Sequence, residues 1–196
     1  MLYSISRLFF LVILKLFFRF KVEGRENLPK KGGFILASNH LSFIDPVALG
    51  CASLRKLNYF ARHDLFKNPL FGRILLAVGA FPVVREKADL SALKEALKRL
   101  KSGKGLVVFP EGTRGEAGEK MLQPQSGIGF LALKSGVPVI PAFVSGTQNA
   151  MPKNSNSIKI APISIKFGEP MFIERGLPYA DVARKIMARV EKLSCS

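Results

Sequence analysis

Phe34-Ile35-Leu36-Ala37-Ser38-Asn39-His40-Leu41-Ser42-Phe43-Ile44-Asp45-Pro46-Val47-Ala48-Leu49 is the stretch on which the reading of this chain turns. Its first four residues are uninterrupted and apolar, as in a buried strand. Its last three residues are apolar again and follow a proline, which marks the opening of a helix. Between the two runs lies a short polar break holding one histidine and one carboxylate. Polar residues at a strand end are where α/β folds place their chemistry.

A histidine oriented by a carboxylate is a general base for a hydroxyl, because its pKa lies near neutrality and the carboxylate fixes the tautomer. The same residues also fit purely structural roles. Ser42-x-x-Asp45 matches a capping box. Alternatively, Asp45 caps a helix that has Pro46 at its first position, a version favoured because Pro46 disfavours an α conformation at Asp45. On a regular helix His40 and Asp45 would point about 140° apart, so their pairing requires a turn, which the Asp-Pro junction can supply.

The 196 residues suit one domain with a real core. Thirty lysines and arginines against 14 acids give a formal net charge of +16, and 48% of residues are hydrophobic. Such basicity points to an anionic partner: nucleic acid, anionic lipid or a phosphorylated substrate. The basic residues are spread along the whole chain and form no recognised nucleic-acid motif, so nucleic acid is not expected as the partner. Cys51 and Cys195 make no disulfide framework, which indicates a reducing compartment. Neither has a histidine beside it in sequence, which argues against a thiol nucleophile. With His40 and His63 the only histidines and no clustered ligands, no metal site is expected.

Residues 1–20 form the most hydrophobic segment. They approach the roughly 20 apolar residues of a spanning helix only by including Arg7, Lys15 and Arg19. Those three fall within about 120° on a helical wheel, a basic stripe on an otherwise apolar helix. The pattern fits a helix lying in the membrane interface, with a marginal transmembrane anchor and a helix docked on the protein's own core as alternatives. Lys15 breaks the apolar region and no small-x-small site follows, which argues against a signal peptide. Residues 21–196 are then the remaining domain.

Residues 21–33 read as a basic connection, 34–38 as a strand, 46–53 as a helix and 57–62 as a second strand. Asn68-Pro69 starts a helix with Phe71, Ile74, Leu75 and Val78 on its apolar face. His63 is a rival base beside Asp64, but adjacent strand residues point to opposite faces. Residues 79–85 read as a third strand ending in Arg85, 89–103 as an amphipathic crossover helix carrying Leu90, Leu93, Leu97 and Leu100, and 105–109 as a fourth strand. The turn Pro110-Glu111-Gly112-Thr113-Arg114-Gly115 has the amides, hydroxyl and guanidinium to surround a phosphate, though it also fits an ordinary polar turn. A helix over 126–134, a strand over 136–144, a polar loop over 148–157, strand character over 158–167 and a closing helix with Val182, Ile186, Val190 and Leu193 complete the chain. The alternation predicts an α/β fold, with a mostly parallel central sheet flanked by helices.

Four ordered groups now carry a resemblance: Asn39-His40 with Asp45; Arg85 after Gly79-Ala80-Phe81-Pro82; Phe109-Pro110-Glu111-Gly112-Thr113-Arg114; and Val137-Pro138-Val139-Ile140-Pro141. Together they resemble the four blocks of the glycerolipid acyltransferases, and within these the 1-acylglycerol-3-phosphate (lysophosphatidic acid) acyltransferases. The resemblance spans roughly residues 20–175. It implies transfer of an acyl group from acyl-CoA or acyl-carrier protein to the free hydroxyl of 1-acylglycerol-3-phosphate, giving phosphatidic acid. Glycerol-3-phosphate, another lysophospholipid or a lyso-aminolipid are the alternative acceptors, and a basic membrane- or nucleic-acid-binding module is the alternative outside enzymes.

By the same resemblance, His40 is the base and Asp45 its orienting carboxylate. Arg85, Glu111, Gly112, Thr113 and Arg114 hold the glycerol phosphate, and Asn39 and Pro138 serve the acyl-donor side or the structure. No cofactor beyond the thioester co-substrate is implied. The implied partners are the lysophospholipid, the acyl thioester and an anionic membrane surface, and the implied location is the cytoplasmic face of a membrane. Arg62-His63 departs from the lysines often found there in the family, and the tail after the last strand is small.

Overall fold

The computed structural model describes residues 2–194 apart from 85–88, 117–120, Asn154 and Asn156. In chain order the elements are α1 (Leu2–Phe17), β1 (Lys21–Glu23), β2 (Phe34–Ser38), α2 (Asp45–Ala52), β3 (Leu57–Arg62), a 3-10 turn (His63–Phe66), α3 (Pro69–Ala77), β4 (Ala80–Val83), α4 (Leu90–Lys101), β5 (Gly105–Val108), α5 (Ser126–Ser135), β6 (Val139–Ser145), the short α6 (Thr147–Ala150), β7 (Ser164–Phe167) and α7 (Tyr179–Lys192).

The strands form one sheet in the order β1-β7-β6-β2-β5-β3-β4. Every pairing in it is parallel except that of β6 with β7. β2 lies between β5 and β6 and buries all five of its residues, as its unbroken apolar run requires. The path from β2 to β3 to β4 moves one way across the sheet, and the path from β4 to β5 to β6 returns. Right-handed crossovers therefore place α2 and α3 on one face and α4 and α5 on the other. The core divides accordingly. Leu14 and Phe18 pack with Leu49 and Leu36 on the α1–α2 side, and Leu100, Leu131 and Ile186 pack with Ile35 on the α4–α5–α7 side.

Several boundaries differ from the sequence reading. The connection after α1 contains β1, which pairs with β7 through Lys21↔Ser164 to Glu23↔Lys166. The strand expected over 158–167 is confined to Ser164–Phe167, and Ile158 and Ile160, at 65% and 76% exposed, lie outside it. α4 turns Ala92, Ala96 and Leu100 inward, whereas Leu90 is exposed. Arg85 lies outside the described residues.

The amino-terminal helix also departs from the simple basic stripe. Lys15 and Arg19 are exposed. Arg7 instead turns inward and donates to the carbonyls of Gly50, Cys51 and Ser53, the open carboxyl end of α2. A guanidinium there satisfies carbonyls that have no intrahelical partner and complements the negative end of the helix dipole. α1 has 16 residues, about 24 Å at 1.5 Å each, against a hydrocarbon core of about 30 Å. No helix among the described residues is long and apolar enough to cross a membrane.

Candidate active site

β2 and β5 are hydrogen-bonded neighbours, so the turns that leave their carboxyl ends meet. The first turn carries His40. Asp45 opens α2 and Pro46 follows it, but the carboxylate does not cap that helix: no side chain caps it, and Ile44 occupies the N-cap position. Asp45 as the N-cap is thereby set aside, whereas the Ser42-x-x-Asp45 pair keeps part of a capping box, the Asp45 carboxylate accepting from the Ser42 N–H and the Ser42 hydroxyl from the Ile44 N–H. Asp45 turns back, and its Oδ2 accepts from the backbone N–H of Leu41 at 2.7 Å and of Ser42 at 2.8 Å, and lies 2.8 Å from His40 Nδ1. Ser42 keeps a local role: its hydroxyl accepts from the Ile44 N–H and donates to the Met151 carbonyl.

Asp45 is fully buried and the His40 side chain is 9% exposed. Two backbone amides and the imidazole thus converge on one oxygen of that carboxylate. Asp45 Oδ1 is buried without a hydrogen-bond partner among the described residues. With Nδ1 held by the carboxylate, Nε2 is the ring nitrogen left to accept a proton. The imidazole stacks on Phe109, centroids 4.0 Å apart and planes 15° from parallel. That contact fixes the ring plane from the second turn, a role the sequence did not reveal for Phe109.

Glu111, expected among the acceptor ligands, is 4% exposed and commits both oxygens to backbone amides. Oε1 accepts from the His40 N–H at 3.2 Å and Oε2 from the Leu122 N–H at 3.1 Å. On the other side of the same residue, the Gly115 N–H donates to the His40 carbonyl at 2.8 Å. The 109–115 turn thus grips the histidine backbone at both polar groups. Gly112 adopts φ +70°, the left-handed region that favours a glycine at this point of the turn.

Thr113 is exposed beyond this grip. The Arg114 guanidinium lies 3.7 Å from the ring centroid of Phe43, a residue of the histidine turn, and donates to the Lys153 carbonyl at 3.0 Å. These two contacts hold the guanidinium against the histidine turn. Asn39 is structural: its side-chain amide donates to the Val144 carbonyl and accepts from the Val144 N–H, both at 2.8 Å, tying β2 to β6. Pro138 sits at the opposite end of β6 from His40, where its carbonyl accepts from the Ile35 N–H at 3.0 Å. His63 is no rival base, because the carboxylate of Asp64 is taken by Arg62 at 2.9 Å, which also holds that carboxyl below its ordinary pKa. Burial pushes the Cys51 thiol up to about 11, which leaves it protonated and unreactive at neutral pH.

His40 and Phe109 form part of the wall of a cleft of about 710 Å³. Gly112, Thr113 and the start of α5 continue that polar rim. Val84, Leu90, Leu93, Phe130 and Tyr179 supply an apolar side. The arrangement can take a proton from a hydroxyl at its polar end while an aliphatic chain lies along the rest.

Known proteins share this chain's family and fold. The Acyltransferase family model matches residues 19–145. The 1-acyl-sn-glycerol-3-phosphate acyltransferase of Bacillus subtilis is 32% identical over 161 residues, 82% of this chain and 77% of that protein. The enzyme of the same name from Borreliella burgdorferi is 31% identical over 68% of this chain, which spans 54% of its length. The crystal structure of the 1-acyl-sn-glycerophosphate (LPA) acyltransferase PlsC from Thermotoga maritima superposes with a TM-score of 0.75 at 27% identity, covering 95% of this chain and 79% of that one. The chain belongs to the Acyltransferase family.

Proposed function

We propose that this chain transfers an acyl group from a thioester, acyl-CoA or acyl-carrier protein, to the free hydroxyl of a 1-acylglycerol-3-phosphate, producing phosphatidic acid. The observation that carries the reading is His40, held by Asp45 at 2.8 Å in the wall of a cleft that is polar at one end and apolar at the other. His40 Nε2 takes the proton of the acceptor hydroxyl as its oxygen attacks the thioester carbonyl. The tetrahedral intermediate collapses with cleavage of the C–S bond, and the imidazolium returns its proton to the departing thiolate. Asp45 stabilises the imidazolium between the two events. The step forms one ester, breaks one thioester and needs no covalent enzyme intermediate.

Thr113 and Arg114, with the backbone of Gly112, hold the acceptor phosphate, and Arg85 is assigned to it by its place in the sequence block. Relatives named for this acceptor support the choice of a phosphate monoester. The apolar side of the cleft takes an acyl chain. α1 lies on the membrane with Leu8, Phe9 and Leu16, all at least 60% exposed, toward lipid, which brings the site to an acceptor that remains in the bilayer. A thioester donor places this on the cytoplasmic face.

The test is acyl transfer from acyl-CoA and from acyl-carrier protein to a panel of lysophosphatidic acid, glycerol-3-phosphate, lysophosphatidylcholine and a lyso-aminolipid, with wild type and His40→Ala. Transfer to lysophosphatidic acid that is lost in the variant is the expected result. Equal turnover by the variant would remove His40 as base, and preference for another acceptor would overturn the choice of substrate.

A further inference from the structure

We propose that α3, together with the 3-10 turn before it, is a second contact with an anionic bilayer, lying on its surface beside α1. α3 is built inside out for a helix meeting water. Its one buried residue is Gly72, which packs against the backbone of Phe66. Leu70 and Ile74 both lie about 160° around the helix from that glycine. They are 71% and 44% exposed, with Phe71 on one flank at 46% and Leu65, in the 3-10 turn, at 40%. Leu76, on the glycine's own side, is also 54% exposed, and Leu75 beside it is half-buried, so most of the side chains that burial would stabilise stand outside.

Charge selects lipid as the occupant. Residues 62–84 contain Arg62, Lys67 and Arg73 against a single acid, Asp64, which Arg62 already neutralises. Apolar groups facing outward among unopposed cations suit a surface with an acyl interior and anionic headgroups. At nine residues, about 14 Å, α3 is too short to span and would lie in the interface.

Position selects the same occupant. α3 is on the face of the sheet that carries α2, against which α1 packs. Lys56 joins the two outer helices, donating to the Ala77 carbonyl at the end of α3 and sitting over the ring of Tyr3 at the start of α1. A plane that touches the outer side of α1 therefore has α3 next to it. The inference rests on the reading of α1 as a lipid-facing helix, and two contacts on one face would fix the tilt of the domain as well as its attachment.

The chain has no tryptophan, so single reporters are unambiguous. Phe71→Trp, Leu16→Trp on α1 and Arg189→Trp on the exposed side of α7, across the sheet, would each be mixed with vesicles of phosphatidylcholine and phosphatidylglycerol, with and without brominated acyl chains. The expected result is a blue shift and bromine quenching for Phe71→Trp and Leu16→Trp, and neither for Arg189→Trp. A shift for Leu16→Trp alone overturns the role of α3 while keeping that of α1. No shift for either overturns both. A blue shift of Phe71→Trp that grows with protein concentration in the absence of vesicles would assign the face to a second copy and also overturn the proposal. As a check free of the reporter, Leu70→Ser with Ile74→Ser should weaken vesicle binding roughly tenfold with unchanged melting temperature, because both side chains point away from the core.

Discussion

The two turns that meet at the carboxyl end of the sheet are made of similar residues and do opposite things with them. In the turn after β2, the carboxylate of Asp45 is fully buried, its Oδ2 shared among two amides and His40. In the turn after β5, Glu111 is buried in the same manner, but Thr113 is exposed and Arg114 half-buried over Phe43. The first turn holds one group still, and the second braces it while leaving its threonine exposed and its arginine over Phe43. A base must be aimed to within fractions of an ångström, whereas a phosphate can be met by a charge with some freedom. The difference teaches that effects on turnover should concentrate in the first turn and effects on acceptor affinity in the second.

Asp45→Asn puts the largest strain on that division. It preserves an oxygen for the Leu41 and Ser42 amides while removing the charge opposite the imidazolium. Turnover should fall by roughly a hundredfold or more with acceptor KM little changed, as steady-state acyl transfer would report. Arg114→Ala comes next. Acceptor KM should rise by roughly ten- to a hundredfold, the worth of a charge-assisted contact, with kcat nearly intact. A fall in kcat with unchanged KM would move Arg114 from binding to aiming.

Glu111→Gln sharpens the comparison from inside the second turn. The amide retains one acceptor, so either the His40 or the Leu122 N–H loses its partner. Because the site is braced rather than filled by Glu111, kcat should drop by about tenfold while KM holds. The opposite split would place its carboxylate on the acceptor. Thr113→Val should give the smallest change, a few-fold rise in acceptor KM at unchanged melting temperature, since its side chain is exposed.

What could be foreseen from the chain divides along physical lines. β2 and β5 were legible because strands buried on both faces read as continuous apolar runs. β1 was not, because Lys21-Val22-Glu23 has only three residues and one apolar side chain, and its pairing is set by distant β7. Residues 158–163 carry alternating isoleucines, the pattern of a half-buried strand, yet the chain leaves two of them exposed before pairing begins at Ser164. At the site, the His40–Asp45 pair was legible as two residue types that need a turn between them. The partners of Glu111 were not, because they are backbone amides and any residue could supply them. Arg7 was read as part of a lipid-facing stripe from its position on a helical wheel. Its true partners, the carbonyls at the end of α2, are 43 to 46 positions away in the chain.

That arginine gives the amino-terminal helix a hold on more than a membrane. It grips the carboxyl end of α2, the eight-residue helix whose first residue is Asp45, so α1 is tied to the element that carries that carboxylate. Docked through α1 as proposed, the enzyme would not sample acceptor from bulk water. It would meet the acceptor as a two-dimensional solute, and its velocity should then follow the mole fraction of lysophosphatidic acid in the surface, falling when inert lipid is added at constant bulk acceptor.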